Sequence, residues 1–143
     1  MELIQRSYRL HFVHPFGVSS NVRTETTSIF IRLDDNGVSG YGEACLPAYL
    51  GETEERTTAF LRKAAVVLKK TDSARPLPEI LSAIDNLGEG DNAAKAAIDI
   101  ALHDLHARRL GVPVYEMLGL SGAREMDTSF TIAIDSSEKL KQK

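Results

Sequence analysis

Apolar residues recur along this chain in two rhythms. Over 2–13 they alternate with polar ones: Ile4, Tyr8, Leu10 and Phe12 fall on one face, Gln5, Ser7, Arg9 and His11 on the other. A period of two is that of a half-buried strand, with its apolar face laid against a core. His14-Pro15-Phe16-Gly17 interrupts it, and a polar loop is expected to about Glu25. Ile29, Ile31 and Leu33 then line one side of a second strand. Asp34-Asp35-Asn36-Gly37 reads as a hairpin turn, because Asn-Gly accepts the positive φ such turns need. A third strand is expected over 38–44, where Gly40 and Gly42 mark places for close approach by another backbone.

After a loop over 45–52 the rhythm lengthens to 3.6. Thr53 is the expected cap of a helix over 54–70, with Glu54 and Glu55 in its first turn and Lys69 and Lys70 in its last, the order the helix dipole favours. Phe60, Ala64, Val67 and Leu68 form its inward stripe. Pro76 opens a helix over 77–86 carrying Leu77, Ile80, Leu81 and Ile84. Gly88-Glu89-Gly90 separates it from the longest helix, 93–110. Asp91 or Asn92 can cap that helix and Gly111 can close it, before Pro113 starts a short helix over 114–118. Ala94, Ile98, Ala101, Leu102 and Leu105 form one apolar stripe on the long helix, and Ala96, Ile100 and Ala107 a narrower one opposite. Such a helix is expected between two layers, with i, i+4 pairs Lys95/Asp99 and Asp104/Arg108 on its flanks. Strands followed by helices make an α+β pattern. Past Gly122 a strand over 128–134 and a helix starting at Glu138, capped by Ser136 or Ser137, form half of a βα unit.

Composition narrows the function classes. With 143 residues the chain is long enough for one domain with a real core. A net charge of -3 without a basic cluster before the last residues argues against a nucleic-acid or anionic-membrane partner. The opening residues lack a long apolar run, so neither a signal peptide nor a membrane span is expected, and the cytoplasm is the default location. Cys45 is the only cysteine, which excludes an intrachain disulfide and a Cys-rich zinc site; it reads as a structural thiol.

Candidate chemistry is sparse. The glycines at 37, 40 and 42 do not open a helix, so they are packing glycines and not a phosphate cradle. His103 and His106 share a helix without a third ligand nearby, and a structural or solvated role is expected. Asp34 and Asp35 are turn residues first. Two segments, 15–24 and 46–52, mix aromatic, glycine and polar residues and leave the same sheet; loops of that kind carry function disproportionately.

The run from Ala96 to Leu105 (AAIDIALHDL), followed by Gly111-Val112-Pro113-Val114-Tyr115 and Leu118-Gly119, resembles the enolase superfamily, as does Gly40-Tyr41-Gly42-Glu43-Ala44. The resemblance implies a capping domain over 1–122, with Glu43 a structural hydrogen-bonding acid. It also implies that 123–143 open a truncated (β/α) barrel, a fold that takes about 250 residues. Within the superfamily the dipeptide epimerases are the most similar, through Pro15-Phe16, Tyr49-Leu50-Gly51-Glu52 and Thr128-Ser129-Phe130-Thr131-Ile132. Muconate cycloisomerases, succinylbenzoate synthases and a non-enzymatic binding module are the alternatives.

The family reaction is removal and return of a proton beside a carbonyl, through an enolate held by Mg²⁺. The resemblance implies that Thr131, Phe16, Tyr49 and Leu50 face a small substrate such as a dipeptide. An arginine contacts the substrate from the first loop in some members. That position falls on Asn21 here, with Arg23 two residues later. Lys141-Gln142-Lys143 has the letters of the family's catalytic motif but follows a helix start, so it is not assigned a role. No catalytic residue and no metal ligand is therefore expected in this chain, whose natural partner would be its own barrel; homo-oligomerisation is left open.

Overall fold

The structure is a computed structural model that describes residues 1–18, 21–46, 51–122, 125–129 and 138. Three strands, β1 (Glu2–Val18), β2 (Asn21–Asp35) and β3 (Val38–Cys45), precede four helices. These are α1 (Glu54–Lys70), α2 (Leu77–Asp85), α3 (Asn92–Leu110) and α4 (Val114–Met117). The sheet is antiparallel in the order β1-β2-β3. The α+β pattern and the helix limits agree with the sequence to within a residue.

Register decides which face meets the helices. Leu33 pairs with Leu3 and Gly40, Ile31 with Gln5 and Gly42, and Ile29 with Ser7 and Ala44. Ile29, Ile31, Leu33 and Ala44 are buried beneath α1 and α3 with Phe60, Leu61, Ala64, Leu68, Ile98, Leu102 and Leu105. The face of β1 expected to be buried is thus the wrong one. Leu3 packs on the core, whereas Tyr8 and Leu10 are 45% and 38% exposed on the outer side, where Tyr8 stacks edge-on against Phe30 at 5.6 Å. The apolar count along β1 favours one face, but partners on β2 set the other, and strand pairing overrides it.

A second correction concerns the first loop. The residues over 15–24 are mostly strand: β1 runs through Pro15 and Phe16 to Val18, and β2 begins at Asn21. The register shifts between His11 and Phe16, and the proline falls in that irregularity on an edge strand, where its missing N–H breaks no inner ladder.

The seam between sheet and helices is β3 against α3. A Cβ on Gly40 would strike the Ala101 carbonyl oxygen and the Leu105 backbone, and one on Gly42 the Ala97 carbonyl oxygen. The strand glycines therefore exist for close backbone approach, as their position suggested. The inward stripe of α3 is fully buried, but the second stripe is mostly open: Ala107 is buried, while Ala96 and Ile100, the latter at 54%, are exposed, so among the described residues no second layer covers it. α3 closes in a Schellman turn, with Gly111 at φ 70°, Gly111 N–H on the Arg108 carbonyl and Val112 N–H on the Ala107 carbonyl.

The flanking pairs divide. Asp104 accepts from Arg108 Nε at 2.9 Å as expected. Lys95 instead turns to Asp85, donating to its carbonyl at 3.2 Å, and Asp99 pairs with His103 at 2.6 Å. Residues 125–129 carry no regular structure, and most of the expected barrel strand and helix lies outside the described residues. Among the described residues no helix is long and apolar enough to cross a membrane.

Candidate functional site

The strand lengths are unequal, and this builds the site. β3 ends at Cys45, opposite Ser28, but β1 and β2 remain paired well past that point. Residues 21–27 of β2 and their partners on β1 form a two-stranded ribbon projecting roughly 20 Å, at about 3.3 Å per residue. The C-terminal end of β3, which leads into segment 46–52, points the same way. α3 runs antiparallel to β3, since Gly42 meets Ala97 and Gly40 meets Ala101 and Leu105. Its N-terminus, and with it that of α1 just after segment 46–52, therefore lies at this same end. One end of the sheet thus gathers the ribbon, the second loop and two helix N-termini.

On the ribbon, Phe16 and Arg23 are cross-strand partners, so the structure brings together two of the candidate substrate-binding residues. Both are half-buried. On the strand period Arg23 shares its face with Glu25, Thr27 and Ile29, the side on which the helices lie. Glu25 is engaged by Arg9 at 3.6 Å and by His11 at 3.4 Å. Arg23 forms no ion pair among the described residues, and a guanidinium is by its chemistry a partner for carboxylates. Asn21 pairs through its backbone with Val18, two residues nearer the tip. Tyr49, Leu50 and Thr131 lie outside the described residues.

Hydrogen bonds hold both ends of segment 46–52, and of these the sequence left only the one made by Glu52 unread. At its start, the Ser28 hydroxyl reaches the Glu43 carboxylate and the Ala44 carbonyl, the latter at 3.3 Å, so Glu43 serves as a hydrogen-bonding acid on the outer face of the sheet. At its end, Thr53 caps α1 by accepting from Arg56 N–H at 3.3 Å, as expected. Glu55, in the first turn of α1, is held below the usual carboxylate range by its own backbone N–H and by the Thr53 side chain. The expected caps of α3 fail. Asp91 adopts a left-handed backbone, φ 50° and ψ 39°, and makes no side-chain cap; its carboxylate faces Arg56 at 3.6 Å. Glu52 takes that place, accepting from the amides of Asn92 and Ala93, the second at 2.9 Å. A carboxylate distant in sequence but aimed at free amides leaves no local signature, which is why it was missed.

Nothing among the described residues resembles a metal centre: no three His, Cys, Asp or Glu side chains converge. His103 Nδ1 sits 2.9 Å from the Asp99 carbonyl and His106 Nδ1 2.9 Å from the Leu102 carbonyl, both local helix contacts. The described residues therefore do not fit a Mg²⁺ site. Cys45 is exposed. Along the flank of α3 that meets Tyr41 of β3, a groove of about 470 Å³ is lined by Tyr41, Asp99, Ile100, His103, Asp104, Val114 and Leu118.

Residues 2–119 match the model of the mandelate racemase / muconate lactonizing enzyme N-terminal domain. The chain is 43% identical, over 95% of its length, to the L-Ala-D/L-Glu epimerase of Bacteroides thetaiotaomicron, of which it covers 35%. It superposes over 98% of its length on the substrate-liganded L-Ala-D/L-Glu epimerase of Bacillus subtilis, with a TM-score of 0.85 and 25% identity. The dipeptide epimerase of Cytophaga hutchinsonii, solved with Mg and the dipeptide D-Ala-L-Val, superposes over the same share with a TM-score of 0.83 and 26% identity. The chain spans 39% of each of those two solved chains.

Proposed function

The chain belongs to the mandelate racemase / muconate lactonizing enzyme family, in the enolase superfamily, and from that premise we propose that it is the N-terminal part of a dipeptide epimerase. Residues 1–122 are the cap and 123–143 the opening of a barrel. Epimerisation moves a proton off Cα and returns it to the opposite face. In this reading the base and the Mg²⁺ belong to the barrel. The cap's contribution is to cover and select the substrate, which the Phe16–Arg23 pair on the projecting ribbon supports best. Arg23 meets the free carboxylate of the dipeptide and Phe16 supplies apolar contact. Asn21, Tyr49 and Leu50 close over the substrate from the ribbon tip and the second loop, and Thr131 hydrogen-bonds its backbone from the first barrel strand. The groove over Ile100 and Leu118 is where the barrel docks on the cap.

The test is Mg²⁺-dependent exchange of the α-proton of L-Ala-L-Glu and a panel of related dipeptides. The full-length protein is expected to turn over at least one of them, and the 143-residue chain none. A full-length protein inert toward the whole panel would refute the reading.

A further inference from the structure

On the helix side of the projecting ribbon, four charged or titratable side chains occupy neighbouring rows, with Glu25 at their centre. Glu25 pairs in register with His11, and Arg23 is the next residue of β2 on the same face, roughly 7 Å along the strand. The two oxygens of the Glu25 carboxylate face different side chains of β1. Oε1 lies 3.6 Å from Arg9 Nε and Oε2 lies 3.4 Å from His11 Nδ1. Arg23 is not among these partners, although its long side chain stands in the adjacent row. α1 packs on β1 and brings Glu54, Glu55 and Arg56 to this end, where Arg56 faces Asp91. Among the described residues none of those three, nor His14 in the register break, forms an ion pair with the four.

We infer that Arg9 and His11 are positioning residues for the substrate carboxylate: by drawing Glu25 across the ribbon, they keep it from neutralising Arg23. The inference rests on the proposed epimerase reading, because it needs Arg23 to meet the carboxylate of the dipeptide. Glu25 and that carboxylate are rivals for one guanidinium, and Glu25 is always present on the same face. Arg9 is charged at every working pH, whereas an imidazole ordinarily changes charge between pH 5 and 8. With His11 protonated, both Glu25 oxygens are held toward β1. Once His11 is neutral, Oε2 has lost its cation, and Arg23 is the cation of the adjacent row that can replace it. Affinity for the substrate therefore falls as pH rises. Arg9 and His11 are exposed, so water and salt screen the pairs and keep the effect to a few-fold.

The experiment compares wild type, His11→Gln and the double variant His11→Gln/Glu25→Gln in the full-length protein at pH 6 and pH 8. Wild-type KM for the dipeptide is expected to be roughly threefold higher at pH 8 than at pH 6. His11→Gln should show the higher value at both pH values. The double variant, which also removes the rival carboxylate, should return to the lower value at both, with kcat within about twofold throughout. Rescue by a second loss is what a merely structural role of His11 would not produce. If His11→Gln keeps the wild-type KM at pH 6, or the double variant stays as high as His11→Gln, the positioning role is overturned while the function stands. A substrate-free reading comes from the Arg23 Nε resonance of the same protein. It should move between pH 6 and pH 8 in wild type and stay fixed in His11→Gln. If wild type turns over no dipeptide, the epimerase reading fails by itself, and an Arg23 resonance that does not move in wild type overturns the charge arrangement.

Discussion

The two ends of the sheet are built on opposite plans. At one end β2 and β3 are joined through Asn36 and Gly37, both at positive φ, and charges close over the turn. Asp35 is gripped by Arg109 and by the Met1 ammonium, the latter at 3.4 Å, while Arg109 also donates to the Ser73 carbonyl at 3.2 Å. The first residue, the hairpin and the ends of α1 and α3 are thereby knotted together. At the other end the third strand stops early, the ribbon projects alone, and the helices present N-termini. Its charged residues are largely exposed: the Arg9 and His11 side chains beside Glu25 are both mostly in water. The difference separates two jobs. The closed end and the glycine seam hold the fold, while the open end buries little and, under the proposed function, is the end that meets the substrate.

That division can be broken most forcefully at the seam. Gly40→Ala puts a methyl into the Ala101 carbonyl and the Leu105 backbone, neither of which can move without shifting α3. A loss of about 3 kcal/mol or more is expected, read as a lowered urea midpoint of the chain. Asp35→Ala comes next. It leaves Arg109 and the N-terminal ammonium facing each other without an anion in a half-buried setting, and should cost about 2 kcal/mol in the same measurement.

The open end should respond in the reverse sense. Arg23→Ala is expected to change stability by less than about 0.5 kcal/mol, as substitutions away from packed features do. In the full-length protein it should lower kcat/KM for dipeptides by roughly tenfold through the lost carboxylate contact. A large stability loss with unchanged kcat/KM would reverse the division between the ends. The smallest effect is at Glu55, whose pKa lies below the ordinary value in the folded chain. A depressed carboxylate pKa contributes stability that is present above the unfolded value and lost as pH falls through the folded one. The gap in melting temperature between wild type and Glu55→Gln should therefore be small at neutral pH and vanish in acid.

How much of this was legible depended on the range of the interaction. Thr53 and Gly111 act within a turn of themselves, so both helix ends could be read directly. The inward stripe of α3 follows from its own period, and Ile98 and Leu105 are buried as that period requires. Pro15 misled because a proline normally ends a strand, and only the shifted register of an edge strand lets it stay. Lys95 was within reach of Asp99 on its own helix, but the end of α2 offered it Asp85.

By itself, then, the order of residues determined the elements, the hairpin turn, the glycine seam and the superfamily, since each is written in neighbours a few positions apart. The tertiary structure alone decided which face of β1 turns inward, that the first loop is a paired ribbon with Phe16 opposite Arg23, and that Glu52 caps a helix forty residues on. Those three depend on strand register and on which free amides lie nearest in space. Both are settled only when the sheet and helices are packed, because a carboxylate or a strand edge has no preference among partners until one is brought within hydrogen-bond reach.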